Sequence, residues 1–187
     1  AHAAGKDPVR FRLDLLKEKP RHAAVLEQVA RMAGWGKSMP SGMAMGVALH
    51  DSFGSIVGEV VEVSLQGQNY KVHKVHCAVD CGLIVNPDTI NAQMQSSIVY
   101  GLTAAQYGEI NIEAGGVKQG NFPDYQMLKL KQMPAVDVHI MQNEEPHGGI
   151  GEPGTPPIAP AVANALFTLT GTRIRSLPLG KHGYTLI

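Results

Sequence analysis

The sequence predicts an α+β fold in which an antiparallel sheet packs against helices, and three observations carry that prediction. Apolar residues recur at helical spacing before residue 34, then alternate or cluster as strands between 44 and 80. Helical character returns after the break at Asn86-Pro87-Asp88 and again after Pro156-Pro157. Strands gathered in one stretch, with helices before and after, point to a sheet covered by helices rather than to an alternating parallel fold.

Asp7-Pro8 opens the first helix, with Asp7 as N-cap and Pro8 at the first helical position; Phe11, Leu13, Leu15 and Leu16 supply its apolar surface. A second helix runs from Pro20 to Ala33, with Ala24, Val25, Val29 and Met32 near helical spacing, and stops at Gly34-Trp35-Gly36. Past the loop at Pro40-Ser41-Gly42, three strands are expected: Gly46 to His50, the valine-rich Ser55 to Leu65, and Tyr70 to Val79. Gln66-Gly67-Gln68-Asn69 turns between the last two, and the three form an antiparallel meander. A long helix follows over Asp88 to Tyr107, where Gly101 marks close packing against another backbone or a ligand. A short hairpin is expected at Ile110 to Ile112 and Ala114 to Val117, and Val136 to Ile140 alternates as a strand. Ile158 to Leu169 is apolar on nearly every side and should be a buried helix, with Gly171 as its cap.

Composition narrows the function. With 187 residues, 44% hydrophobic and 17% charged, the chain suits one globular domain with a buried core. Its 16 basic and 16 acidic residues cancel, which gives no electrostatic basis for nucleic-acid binding. No apolar run approaches the roughly 18 to 20 residues needed to span a bilayer, so no membrane insertion is expected. The first residues lack the charged and apolar regions of a signal peptide and lack a Met, so the chain reads as a processed or truncated product. A compartment, cytoplasmic or periplasmic, does not follow. Cys77 and Cys81 stand in a C-x3-C spacing that does not match zinc sites, and two reduced, partly buried thiols are the simpler reading. His73 and His76 form an H-x-x-H pair, but a three-residue offset on a strand puts them on opposite faces, which argues against shared metal ligation.

Two segments could carry chemistry. Gly148-Gly149-Ile150-Gly151-Glu152-Pro153-Gly154-Thr155-Pro156-Pro157 concentrates glycine and proline around one carboxylate. Glycines let backbone amides approach a ligand, and the start of the following helix would favour an anion there. A carboxylate held in such a loop and shielded by the apolar helix could abstract a proton. A surface turn with an incidental Glu152 reads equally well from spacing alone. The second segment is Asn91 to Ser97, in which Gln93 offers both a donor and an acceptor; solvated polar residues on a helix would look the same. The chain contains no Gly-x-Ser-x-Gly hydrolase element.

In unbroken order, several segments resemble the xanthine dehydrogenase/aldehyde oxidase family of molybdenum hydroxylases, on the side of its isoquinoline 1-oxidoreductase-like large subunits. They are Asp7 to Leu13, Gly46 to His50 with Ser52-Phe53-Gly54-Ser55, Cys77 to Gly82 with Val85 to Asp88, Ala92 to Gln95, Gly120 to Tyr125, and Gly148 to Pro157. The G-x-G-E-P element is the most specific. The resemblance implies the molybdenum-cofactor-binding domain of that family, with a helical lead-in over 1–36 and the α+β cofactor-binding segment over 37–187. It also implies the C-terminal part of a much longer large subunit. Glu152 matches the family's active-site glutamate, the base that deprotonates the water-derived oxygen nucleophile. Gln93 matches the glutamine that hydrogen-bonds an oxo group of molybdenum, and Gly149 and Gly151 match the loop that lies along the pterin. The implied cofactor is molybdopterin, as the cytosine dinucleotide, holding molybdenum through its own dithiolene, so no protein metal ligand is expected. Implied partners are the upstream part of the large subunit and a small iron–sulfur subunit, with the clusters and any FAD outside this chain. The implied substrate is an N-heteroaromatic compound or an aldehyde, and the chain alone is expected to be inactive. Where Ser96 and Ser97 stand the family carries glycines, which predicts different packing at that point. The alternative is a non-catalytic scaffold domain that keeps the fold without cofactor.

Overall fold

A computed structural model describes residues 1–187. Helices α1 (Pro8–Leu15) and α2 (Pro20–Ala33) lead into strands β1 (Met43–Ser52), β2 (Ser55–Gln66) and β3 (Asn69–Asp80). Helix α3 (Pro87–Tyr107) follows, then the small hairpin β4 (Ile112–Glu113) and β5 (Gly116–Val117), strand β6 (Ala135–Ile140), helix α4 (Thr155–Thr170) and strand β7 (Thr185–Leu186). The Asp7 carboxylate caps α1 by accepting from the N–H groups of Val9 and Arg10 at 2.9 and 2.8 Å, and it also accepts the Trp35 indole N–H at 2.8 Å. Such a cap is worth about 1 kcal/mol, and here it also ties the end of α2 to the start of α1.

Strands β1, β2 and β3 form the expected antiparallel meander. Strand β6 then joins β3 in parallel, pairing Lys74–Val79 with Ala135–Ile140, and β7 joins the first two residues of β3, also in parallel. The sheet is therefore mixed, with helices on both faces. Helices α1 and α2 cover one face, where Val25, Leu26 and Val29 meet Val47, Ile56, Val60 and Ala78. Helices α3 and α4 cover the other, where Met94, Ile98, Leu102, Ile158, Val162 and Leu166 meet Val57, Val61, Val63, Val75 and Cys77. Burial on both faces explains why β2 reads as a nearly continuous valine run rather than a strict alternation. Each fully buried Ile, Val or Leu of α4 stabilises by about 1.5–3 kcal/mol relative to exposure.

Gly101 of α3 is where the two covering helices cross. A Cβ there would lie 2.6 Å from the Thr155 carbonyl oxygen and 2.5 Å from Ile158 Cγ2, so only glycine lets α3 lie against the start of α4. Cys77 and Cys81 are both buried and unpaired. A bulge in β3 at His73, opposite Glu62 and Val63, separates the two histidines: His73 bonds Ser64 Oγ at 2.7 Å, whereas buried His76 faces Glu62 at 3.3 Å. No group of three or more His, Cys, Asp or Glu side chains is arranged to hold a metal ion.

Candidate active site

The glycine–proline loop, the start of α3 and the ends of β1 and β3 meet at one edge of the sheet. Two peptide links fix the beginning of the loop. Gly148 N–H donates to the Cys81 carbonyl at 2.8 Å, and Gly149 N–H donates to the Phe53 carbonyl at 2.7 Å. Ser55 Oγ donates to the Gly149 carbonyl at 2.7 Å. There is no room for a side chain here: a Cβ on Gly148 would stand 2.4 Å from Ser55 Oγ, and one on Gly149 would stand 2.9 Å from Phe53 Cβ.

The other end of the loop is fastened by α3. Buried Ser97 places its Oγ 2.7 Å from the Gln93 carbonyl and 3.3 Å from the Gly151 carbonyl, and Thr155 Oγ1 approaches the Ser97 carbonyl at 3.4 Å. A serine at 97 thus takes part in holding the loop. Gln93 is half-buried on the same helix face, and its Nε2 is 3.9 Å from where a Cβ of Gly151 would be. Gln93 and the loop carrying Glu152 are therefore neighbours, although 58 positions separate Gln93 from Gly151.

Glu152 itself is exposed, so the shielding by α4 that the sequence led one to expect is not there. A second expectation also changes. Helix α4 begins at Thr155, which places Pro156 and Pro157 inside its first turn. Neither proline has an N–H, and Thr155 N–H already donates to the Glu152 carbonyl at 2.9 Å, so the helix start offers few free donors. The free donors lie in the loop instead: the N–H groups of Ile150, Gly151 and Glu152 meet no acceptor within the chain. With exposed Gly151 presenting no side chain and the Gln93 amide beside it, the residues present fit a flat, acceptor-rich group such as a pterin with oxo ligands. Gly149 contributes less than Gly151, since both of its backbone polar groups are already engaged. The run from Gly149 to Gly154 has the spacing G-x-G-x-x-G, but no strand leads into it, β6 ending well before at Ile140, so it lacks the strand–turn–helix setting of a Rossmann dinucleotide-binding turn.

Behind the loop, Asp80 at the end of β3 acts as a hub. It receives Arg21 of α2 through two bonds, at 2.9 and 2.8 Å, Asn143 Nδ2 at 2.9 Å and Gly82 N–H at 3.0 Å. Burial alone would raise the Asp80 carboxyl, but the bonds from Arg21, Asn143 and Gly82 outweigh it and bring its pKa down to about 2. The ionised hub fixes the turn at Gly82, and the adjacent Leu83 N–H bonds the Glu145 carbonyl at 2.9 Å, upstream of the Glu152 loop. Sequence reasoning gave no role to Ser55, Phe53 or Asp80; the signal available was that Ser52 to Ser55 and Cys77 to Gly82 are among the segments that carry the family resemblance. Two open clefts lie elsewhere. One of about 480 Å3 is walled by Phe11, Arg12, Trp35, Phe167 and Arg173, and one of about 490 Å3 by Tyr107, Phe122 and Tyr125; neither includes Glu152 or Gln93.

Residues 40–134 match the family model described as a molybdopterin cofactor-binding domain. The chain belongs to that family. The match includes Gln93 and stops short of Glu152. The chain is 36% identical to isoquinoline 1-oxidoreductase subunit beta of Brevundimonas diminuta, over 96% of its own length and 24% of that protein. It is 30% identical to the membrane-bound aldehyde dehydrogenase [pyrroloquinoline-quinone] of Gluconacetobacter polyoxogenes, over 96% of its length and 26% of that protein. Among solved structures, quinoline 2-oxidoreductase from Pseudomonas putida 86 shares the fold with a TM-score of 0.60 at 18% identity, covering 67% of this chain and 17% of that one. The CO dehydrogenase of Oligotropha carboxidovorans aligns with a TM-score of 0.58 at 20% identity, with the same coverage. The fold is thus that of the molybdopterin-binding domain of xanthine dehydrogenase-family enzymes. The chain spans about a quarter of the length of these two curated relatives.

Proposed function

We propose that this chain forms one wall of the active site in a molybdenum hydroxylase that oxidises an N-heteroaromatic compound or an aldehyde with water as the oxygen source. The observation that carries the reading is the meeting of Gln93 with the Gly151–Glu152 backbone at a surface where three consecutive N–H groups are unpaired. The molybdenum cofactor, taken here as molybdopterin cytosine dinucleotide, would supply the two-electron oxidant. Gln93 would orient it by donating from Nε2 to an oxo oxygen, and the Gly151 backbone would lie along the pterin. Glu152 would act as the base, taking the proton from water as its oxygen attacks an electron-poor carbon of the substrate. An exposed carboxylate on a fastened loop suits that task once the rest of the large subunit closes over it, because exclusion of water strengthens the electrostatics of proton transfer. A small iron–sulfur subunit would carry the electrons onward, and the chain by itself would not turn over.

The test is turnover per bound molybdenum in the complete complex carrying Glu152→Gln. The substitution keeps size and hydrogen bonding but removes the base. A positioned base contributes about 10²–10⁴-fold, and a loss in that range with unchanged molybdenum content is expected. Retention of more than about a tenth of wild-type turnover would show that Glu152 is not the base. Absence of molybdenum from the intact wild-type complex would leave the non-catalytic scaffold in its place.

A further inference from the structure

The turn between β1 and β2 contains an unfavourable residue in a conformation it rarely adopts. Ser52 pairs with Ser55, and the two residues between them, Phe53 and Gly54, have φ of 58° and 77°. That is a two-residue hairpin of the type that needs left-handed backbone at both central positions, where asparagine, aspartate or glycine is usual and phenylalanine is strained. The strained peptide aims the Phe53 carbonyl at Gly149 N–H, at 2.7 Å. Two residues on, Ser55 is wholly buried, and its hydroxyl grips the Gly149 carbonyl, also at 2.7 Å. Both peptide groups of Gly149 are therefore held by this one turn.

The next residues transmit that hold. Ile150 packs its side chain against the main core, and Ser97 meets the Gly151 carbonyl. Glu152 follows, exposed and with no ion pair or side-chain hydrogen bond of its own, so only its backbone fixes where the carboxylate stands. We infer that the β1–β2 turn is the device that positions the Glu152 loop, and that Ser55 is its positioning residue. Ser55 touches neither substrate nor cofactor; it acts through the Gly149 carbonyl. This inference rests on the reading of Glu152 as the base.

Two measurements on the complete large subunit, in complex with its natural partners, test it. The first is hydrogen exchange. Ser55→Ala removes one net hydrogen bond from the loop, so amides of 148–152 should exchange between about twofold and tenfold faster, while those of α3 and of the β2–β3 ladder keep their wild-type rates. The second is steady-state kinetics per bound molybdenum. Ser55→Ala should lower kcat by tenfold or more with KM and molybdenum content unchanged, since a base displaced by about 1 Å costs up to roughly 10²-fold. Ser55→Thr, which keeps the hydroxyl, should recover most of the loss.

Each other outcome overturns the inference. If exchange in 148–152 is unchanged, the hydroxyl does not hold the loop. If Ser55→Ala loses molybdenum, or exchanges faster throughout the sheet, its role is general stability rather than positioning. If Ser55→Ala keeps kcat within twofold of wild type while Glu152→Gln is inactive, the positioning role is wrong and the base assignment stands. If Glu152→Gln is itself active, the base assignment fails, and the exchange result alone then decides whether the turn holds the loop.

Discussion

Glu59 and Cys77 are directly paired across the β2–β3 ladder, and neither side chain is reached by solvent. Both carboxyl oxygens of Glu59 lack a hydrogen-bond partner. Burial raises the Glu59 carboxyl well above its ordinary range, and burial followed by the neighbouring Glu59 does the same for the Cys77 thiol. Glu59 therefore sits in the core as a neutral acid. The proposed chemistry does not use it.

That placement makes stability fall as pH rises. Below about pH 4.3 both the folded and the unfolded chain hold the Glu59 proton. Above it the unfolded chain releases the proton and the folded chain does not, so the folded state loses up to about 1.4 kcal/mol per pH unit until the buried group titrates. Glu59→Met, of similar size and apolar, should remove this slope. Urea unfolding should show a gain of about 1–3 kcal/mol at pH 8 and a smaller one at pH 5. Equal gains at both pH values would mean that Glu59 does not titrate in this way.

Asp80 should produce the opposite slope. Its pKa is lowered in the fold, so the stability from its contacts is complete above the ordinary aspartate value near 3.9 and is lost as pH falls toward about 2. Arg21→Ala should flatten this acid-side loss. At neutral pH it should cost about 1–3 kcal/mol, because Asp80 is left buried with one charge partner fewer and Arg21, at 32% side-chain exposure, is partly replaced by water. Acid titration followed by circular dichroism would check both parts.

Gly101→Ala tests the helix crossing. The new methyl would meet the Thr155 carbonyl and Ile158, and overpacking of this kind costs about 1–3 kcal/mol. A fall in Tm of roughly 2 to 12 °C is expected from a chain of this size. Because Thr155 follows directly on the Glu152 loop, amide exchange in 150–155 should rise as well. An unchanged Tm would show that α3 and α4 can separate without cost.

Gln93→Ala should behave unlike Glu152→Gln in the complete complex. Loss of a cofactor-orienting amide should lower molybdenum content and turnover together, whereas loss of the base should lower turnover alone. Metal analysis beside kinetics separates the two. A Gln93→Ala complex with full molybdenum content and full rate would remove Gln93 from the site.

Much of the architecture could be read from residue pattern. Asp7-Pro8 announced a cap, the all-round apolar face of 158–169 announced burial, and Gly101 inside a helix announced close contact; each depends on local sequence. The parallel docking of β6 on β3 was hidden, because alternation along Val136 to Ile140 tells which side chains share a face and not which strand is adjacent. Ser55 with Gly149, and Arg21 with Asp80, were hidden for a related reason: each bond joins segments 94 and 59 positions apart, and short polar residues give no sign of such partners. At the candidate site, residue chemistry singled out Glu152 and Gln93 as candidates with a bland alternative beside each, and the family resemblance supplied their expected roles. The expectation of amide donors from the helix start failed because α4 begins at Thr155 and so takes Pro156 and Pro157 into its first turn.

Helix α4 also determines when the chain becomes safe in the cell. The face of the sheet bearing Val57, Val61, Val63 and Cys77 is covered by α3 and α4, and α4 follows β1, β2, β3, α3 and β6 in chain order. Until Thr155 to Thr170 has emerged, the sheet of β1, β2, β3 and β6 carries a valine surface only partly covered by α3, and surfaces of that kind drive aggregation of nascent chains. Helix α4 is thus a late-arriving lid on a sticky intermediate, and a premature stop before it would yield insoluble protein rather than a smaller working domain.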